Sequence, residues 1–332
     1  MVFYIYFDPA LISAADRAGE LGLSCLLGII RRLEENCCLA EFDDWHVQEE
    51  IKDNVKKLEE RLANLEGKQR TQLADFLKDL KTLLGTMAKR NRFIYCLTSN
   101  GESPELRVAA VLRQGKGAEL DLVLTETADG HPNPDQLPQA NLGNFNSSSF
   151  EVDRGKYASK GMICYPGEFS EQDFLEKALR KFLKNCSAIH VYDEIMGKHW
   201  GDNFEYTFRT LLFWLEGFIV DTGTCNLNLY CGKPPGYGDH HIKTQLGSFR
   251  RGRIIKLPIT IHFHETTSGN DSLPHDRFIM TDQFAVEIGR GMDFLDRKTH
   301  KNRDASVNLK DLTEVSRFLS NVANSSLPPV NC

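Results

Sequence analysis

Several common signatures are missing from this 332-residue chain. Its nine cysteines include no C-x-x-C pair, a pattern that disfavours a zinc site and favours reduced thiols in a cytoplasm. No apolar run approaches the roughly 18 residues that a membrane helix needs. The first residues lack the basic region and the cleavage site of a signal peptide. We therefore expect a cytoplasmic protein that does not enter a membrane.

An excess of positive charge is missing as well. The chain has 40 Lys and Arg residues against 46 Asp and Glu residues, which gives a formal net charge of −6. A protein of this charge does not coat nucleic acid as a whole, so any nucleic-acid site must be a local basic patch. The length is sufficient for two domains, each with its own core.

The N-terminal part alternates between apolar strand patterns and helical patterns. We predict buried strands at residues 2–7, 38–42, 92–98 and 119–125, with helices between them. Alternation of this kind is typical of a parallel sheet covered by helices. Residues 1–130 are therefore predicted to form an α/β domain. Residues 131–154 are rich in Pro, Asn, Gly and Ser, and we predict a linker or a long loop there.

Residues 155–332 alternate in the same way and are predicted to form a second α/β domain. Strands are expected at 188–192, 225–230 and 254–263, and a closing helix at 309–322. The predicted fold class is thus α/β with two domains, each a mostly parallel or mixed sheet flanked by helices. We find no internal repeat.

The most informative run covers residues 275–291. Within it His275 and Arg277 alternate, Asp282 follows after four residues, and Gly289 follows after six more. Two strands joined by a tight turn would hold the imidazole and the guanidinium side by side. Imidazole can act as a neutral nucleophile near pH 7, and a guanidinium offers a planar set of donors that suits a phosphate.

This spacing resembles the H-x-K-x4-D-x6-G motif of the phospholipase D superfamily, with Arg277 in place of the lysine. The resemblance covers residues 155–332. It implies that His275 attacks phosphorus, that Arg277 clamps a phosphate oxygen, and that Asp282 orients the machinery without any cofactor. Superfamily enzymes with one motif usually pair two copies, which implies a homodimer. Several members of the similar single-motif, arginine-containing branch bind their ligand rather than cleave it.

A basic segment lies upstream of the motif. We predict that it binds substrate, with glycines on either side of the candidate residues Arg250, Arg251, Arg253 and Lys256. Cations beside a phosphate-handling motif suit a polyanion. The alternative interpretation is an ordinary solvated loop.

The N-terminal domain resembles PIN-domain nucleases, in which acidic residues gather at the ends of strands. Asp8 ends the first strand in the run YIYFDPALI, and the other positions that match are Glu50, Glu105 and Asp129. The resemblance implies that these carboxylates hold Mg²⁺ or Mn²⁺, which would activate water. Here Glu105 stands where the family has Asp.

Two functional hypotheses follow. The first is a phosphodiester-cleaving enzyme, a nuclease acting on DNA or RNA, similar to small bacterial effectors of antiviral defence that accompany a larger ATPase or sensor protein. The second is a catalytically degenerate phospholipase D-like module that binds nucleic acid or a partner, with any turnover in a metal-dependent N-terminal domain. Because a fold does not fix a function, the residues of the site must decide between them.

Overall fold

Buried apolar strands organise both parts of the chain. The computed structural model describes residues 1–43, 47–99, 106–126, 132–198, 201–218, 225–233, 240–251, 257–265 and 276–332. The chain divides into two units, Val2–Ala158 and Ser159–Cys332. Each has a helix-flanked sheet, so the predicted α/β class is confirmed.

The first unit contains an all-parallel, five-stranded sheet with the order β3-β2-β1-β4-β5. Its strands are β1 (Phe3–Phe7), β2 (Cys37–Phe42), β3 (Phe93–Leu97), β4 (Leu122–Leu124) and β5 (Gln139–Ala140). The β1 sequence FYIYF is buried at every position, as expected for a parallel strand with both faces covered. The strand order reverses direction on either side of β1, so the carboxyl end of β1 lies at the switch point of the sheet.

Six helices belong to this unit: α1 (Ala10–Arg17), α2 (Gly19–Asn36), α3 (Val47–Leu62), α4 (Gly67–Lys89), α5 (Arg107–Gln114) and α6 (Ser149–Lys160). Helix α3 shows why these segments are helical. Its buried residues Val47, Ile51, Val55 and Leu58 recur at helical spacing and form one apolar stripe. No helix among the described residues has the length and apolar character needed to cross a membrane.

The segment predicted as a linker is part of the first unit. It contributes β5, a 3₁₀ turn at Phe145–Ser147 and the start of α6. Phe145 is fully buried and packs near Phe150, whose ring meets that of Phe3 edge-on at 5.4 Å. Because residues 131–154 are mostly polar, their composition did not indicate that Phe145 and Phe150 are buried.

The second unit is built on an eight-stranded mixed sheet with the order β15-β9-β8-β7-β10-β11-β14-β6. These strands are β6 (Met162–Cys164), β7 (Ala188–Asp193), β8 (Asn226–Lys233), β9 (Ile259–Glu265), β10 (Phe278–Thr281), β11 (Ala285–Ile288), β14 (Ala305–Lys310) and β15 (Val330–Asn331), while β12 (Leu295–Asp296) and β13 (Lys301–Asn302) form a separate hairpin. Strands β7, β8 and β9 are parallel, and β10 runs antiparallel to β7.

The helices of the second unit are α7 (Glu171–Phe174), α8 (Arg180–Leu183), α9 (Glu194–Lys198), α10 (Asp202–Phe218), α11 (His240–Phe249) and α12 (Leu312–Ser325), with a π-helical turn at Leu175–Leu179. The closing helix was predicted to begin at Leu309, which was wrong, because Leu309 lies in β14. Helix α12 begins after Asp311, whose side chain accepts a hydrogen bond from the Glu314 N–H at 2.8 Å. An aspartate in this position satisfies a free N–H of the first turn.

If residues 132–154 belong to the first core, Phe145→Ala should lower the free energy of unfolding by about 3–5 kcal/mol, because it leaves a cavity at a fully buried ring. Val152→Ala on exposed α6 surface is the control and should change it by about 0.5 kcal/mol or less. Urea denaturation measures both variants. A loss below about 1 kcal/mol for Phe145→Ala would restore the linker interpretation.

Candidate functional site

The motif forms the predicted hairpin of β10 and β11. Ile279 pairs with Val286 across the hairpin, and Phe278 pairs with Tyr192 of β7. Because β10 is antiparallel to β7, Arg277 lies just before β10 at the edge where β7 ends at Asp193. This edge also receives the carboxyl ends of the parallel strands β8 and β9, the usual position of ligands in open α/β sheets.

The Arg277 guanidinium is held from two sides. Its Nη1 donates a hydrogen bond to the Gly289 carbonyl oxygen at 3.2 Å, and its Nε lies 3.9 Å from Asp193 Oδ1. The Nε atom is buried and donates no hydrogen bond within the described residues. The side chain keeps 24% of its surface exposed. Arg277 is therefore oriented by the protein and still reaches solvent.

Asp193 accepts hydrogen bonds from several of the segments that surround Arg277. Its Oδ1 accepts hydrogen bonds from the N–H groups of Ile195 and Met196, both at 3.0 Å, and thereby caps helix α9. Its Oδ2 accepts a third from the Met292 N–H at 2.7 Å. The carboxylate is fully buried, and burial raises its pKa despite these donors and Arg277. One carboxylate thus joins α9, the segment after β11 and Arg277.

Gly291 allows these groups to approach each other. Its φ is +60°, a left-handed conformation that suits glycine. A Cβ atom at this position would lie 2.1 Å from Arg277 Cδ and 2.2 Å from Asp193 Oδ2. Any larger residue at position 291 would therefore displace the arginine or the carboxylate.

A second charged group follows directly after the motif. Asp293 accepts from Arg290 Nη2 at 2.9 Å and from Arg303 Nη1 at 2.8 Å. Two guanidinium groups share one carboxylate, so this group has a surplus of positive charge. Sequence reasoning missed it, although the spacing of Arg290 and Asp293 just beyond Gly289 is a usable signal.

Asp282 does not join Arg277. It lies in the turn after β10, at the opposite end of that strand, about 16 Å from Arg277 at the usual rise of a strand. Its carboxylate accepts hydrogen bonds from the Ser187 N–H at 3.2 Å and from Ser187 Oγ at 3.0 Å. These bonds fix the hairpin turn to the start of β7. The structure therefore gives Asp282 an anchoring role and separates it from the candidate chemistry.

The basic segment is only partly described, because Arg253 and Lys256 lie outside the described residues, as does His275. Arg250 was predicted to bind substrate, but it is buried. Its guanidinium pairs with Glu216 at 2.9 Å and donates to the Leu257 carbonyl oxygen. The predicted role of Arg250 is wrong for this reason. Arg251 is exposed and stays a candidate.

In the first unit, Asp8 lies at the carboxyl end of β1, as predicted. Its two oxygens accept hydrogen bonds from the Ala10 N–H at 3.0 Å and from Thr125 Oγ1 at 2.5 Å. Glu50, in the first turn of α3, forms an ion pair with Arg107. Burial raises the pKa of Tyr6, and its electrostatic neighbours Asp8 and Glu50 add to that effect.

Two of the four residues predicted to hold Mg²⁺ or Mn²⁺ have protein partners in this structure. Each oxygen of Asp8 accepts a hydrogen bond, and the Glu50 carboxylate pairs with Arg107. Glu105 and Asp129, the other two predicted ligands, lie outside the described residues. Among the residues that the structure describes, no group of three or more His, Cys, Asp or Glu side chains is arranged to hold a metal.

No protein-family model matches the chain, and no curated protein matches it in a comparison of sequences. The resemblances to phospholipase D-like and PIN domains therefore stay predictions from the motifs. The geometry around Arg277 and Asp193 is the basis for the proposal below.

Arg250→Met should lower the free energy of unfolding by about 3–5 kcal/mol, because it leaves the Glu216 carboxylate buried without its partner. Arg251→Met, the adjacent exposed control, should change it by about 0.5 kcal/mol or less. Chemical denaturation of both variants tests the assignment. If both variants lower the free energy of unfolding by the same small amount, Arg250 is not a buried partner of Glu216 and becomes a candidate substrate ligand again.

Asp193→Asn should change stability in a pH-dependent manner. Because the folded-state pKa of Asp193 is raised, its contribution to stability is fully present below the unfolded pKa of about 3.9 and is lost as the pH rises through the folded pKa. Asn does not titrate, so the stability of Asp193→Asn relative to wild type should increase with pH across this window. Urea denaturation from about pH 3 to pH 7 measures it. A relative stability that decreases with pH would mean that Arg277 lowers the pKa.

Proposed function

We propose that this protein cleaves phosphodiester bonds in nucleic acid, with His275 as the nucleophile and Arg277 as the phosphate clamp. The observation that supports the proposal is the fixed, solvent-reaching guanidinium of Arg277 at the carboxyl edge of β7–β9. A planar guanidinium donates two parallel hydrogen bonds to phosphate oxygens. His275 precedes Arg277 by two residues, so their Cα atoms are at most about 7 Å apart.

The ion pairs around Asp293 also favour an anion. Asp293 pairs with both Arg290 and Arg303, so this group carries one excess positive charge, whereas Arg277 has the acidic residues Asp193, Glu194 and Asp276 near it. The chain as a whole carries a net charge of −6. A phosphate would thus find a local excess of positive charge at the Asp293 group on a protein that is acidic as a whole.

The proposed reaction has two steps. An imidazole nitrogen of His275 attacks phosphorus, the phosphorus–oxygen bond to the leaving group breaks, and the leaving oxygen takes a proton. Water then attacks phosphorus, the phosphorus–nitrogen bond breaks, and the imidazole is regenerated. With one copy of the motif per chain, we propose that His275 of a second copy supplies and later accepts the proton across a two-fold axis.

The proposal predicts metal-independent cleavage. Purified full-length protein is incubated with labelled single- and double-stranded DNA and RNA, with and without EDTA. His275→Ala should lower the cleavage rate by at least about 1,000-fold, and Arg277→Gln by about 100-fold or more. Arg317→Gln, on the exposed surface of α12, is the matched control and should cleave as the wild type does.

Three outcomes would contradict this proposal. Activity abolished by EDTA but unaffected by His275→Ala would move the chemistry to the acidic residues of the first unit. Equal losses in Arg277→Gln and Arg317→Gln would remove the specific role of Arg277. If neither the wild type nor Arg277→Lys cleaves while both bind nucleic acid, the site is a binding module without turnover.

A further inference from the structure

An unusually basic turn lies beyond the motif. Residues 297–303 read RKTHKNR, which places four Arg or Lys residues and one His within seven positions of an acidic chain. Five of these residues, 297 to 301, are exposed. Residues 297–300 connect β12 to β13, and Lys301 is the first residue of β13; the two strands pair Leu295 with Asn302 and Asp296 with Lys301. We call residues 295–303 the basic hairpin.

Hydrogen bonds and two buried residues hold the backbone of the basic hairpin in place. The Asp296 side chain accepts hydrogen bonds from the N–H groups of Lys298 at 2.8 Å and Thr299 at 3.0 Å, and its carbonyl oxygen accepts from the His300 N–H at 2.9 Å. Below the turn, Leu295 and Asn302 are buried, and Asn302 Nδ2 donates to the Tyr165 carbonyl oxygen at 2.7 Å. The cations therefore project from a fixed backbone, which reduces the entropy that a ligand must remove on binding.

Three cations of the turn, Arg297, Lys298 and Lys301, are exposed to a ligand. Two acids lie beside them: Asp296 accepts hydrogen bonds from the backbone of the turn, and Glu171 accepts one from the Tyr206 hydroxyl and lies 3.6 Å from His300 Nδ1. The structure shows no ion pair for Arg297, Lys298 or Lys301 with any other described residue. The turn also holds His300 at a φ of +52°, with its Nδ1 2.6 Å from the Tyr206 hydroxyl.

The basic hairpin is continuous with the site around Arg277. It begins just after Asp293 and returns at Arg303, whose N–H donates to the Phe294 carbonyl oxygen at 2.9 Å and whose guanidinium pairs with Asp293. The residues just before it, Gly291 and Met292, contact Arg277 and Asp193. The tip of the turn lies roughly 10–13 Å beyond Arg303 at strand dimensions. That span corresponds to a few nucleotides of a single strand.

We propose that the basic hairpin binds the phosphate backbone of a nucleic-acid strand whose scissile phosphate lies at Arg277. The inference rests on the proposed function and adds the class of substrate, an extended polyanion with one charge per nucleotide. Several exposed cations on a fixed backbone suit such a ligand and would bind it without regard to sequence, because backbone contacts carry no base information.

Binding is measured by fluorescence anisotropy with labelled DNA and RNA strands of about 16 nucleotides, in EDTA, on full-length His275→Ala protein. The test variant combines Arg297→Gln, Lys298→Gln and Lys301→Gln. The control removes the same charges from exposed helix α4 through Lys68→Gln, Arg70→Gln and Lys78→Gln. Between about 50 and 200 mM salt, the hairpin variant should bind at least about tenfold more weakly. Its salt slope should fall by about 2–3.

The control should stay within about twofold of the parent protein. Equal affinity and equal salt slope in the hairpin variant, or an equal loss in the control, would overturn the inference. A short chromogenic phosphodiester, too small to reach the hairpin, separates the two proposals. Hydrolysis is measured on the same hairpin substitutions with His275 intact. If that protein hydrolyses the short diester normally, while the hairpin substitutions leave strand binding of His275→Ala protein unchanged, the hairpin inference fails and the proposed function stands. If strand binding is lost but wild type does not hydrolyse the short diester, the hairpin inference stands and the proposed function fails.

Discussion

The buried carboxylate of Asp193 is the interaction on which the candidate site depends. It ends β7, caps α9, accepts the Met292 N–H and faces Arg277. Hydrogen bonds to an ionised group contribute about 1.5–3 kcal/mol each, which offsets part of the cost of burying the charge. Without this carboxylate, the segment after β11 would lose its attachment to β7 and Arg277 its orienting charge.

A second constraint is the distribution of charge. An acidic chain can bind a polyanion where cations are gathered and outnumber the carboxylates that pair with them. Arg290 and Arg303 share Asp293, and the basic hairpin extends from that pair. In the first unit, Arg107 pairs with Glu50, and the oxygens of Asp8 accept hydrogen bonds. The cations that the proposed function requires lie in the second unit.

The spacing of apolar residues and the local composition predicted the longer strands and helices well. The strands β1 and β7 and the motif hairpin are apolar runs bounded by turn residues. Short edge strands such as β5 and β15 were missed, since two residues carry no periodic pattern. The motif spacing located Arg277 and the turn that contains Asp282, but it could not show that Asp282 binds Ser187 at the start of β7. Arg250 was misassigned because its partner, Glu216, is 34 positions away in the chain.

The central claim is that His275 forms a covalent bond to the phosphate of the substrate. The most direct measurement is mass spectrometry of the protein after a rapid alkaline quench during turnover of an oligonucleotide, since a phosphorus–nitrogen bond to histidine survives base. The account predicts a nucleotide adduct on the peptide that contains His275, and no adduct in His275→Ala. Product formation without any adduct on that peptide, or an adduct that persists in His275→Ala, would contradict it.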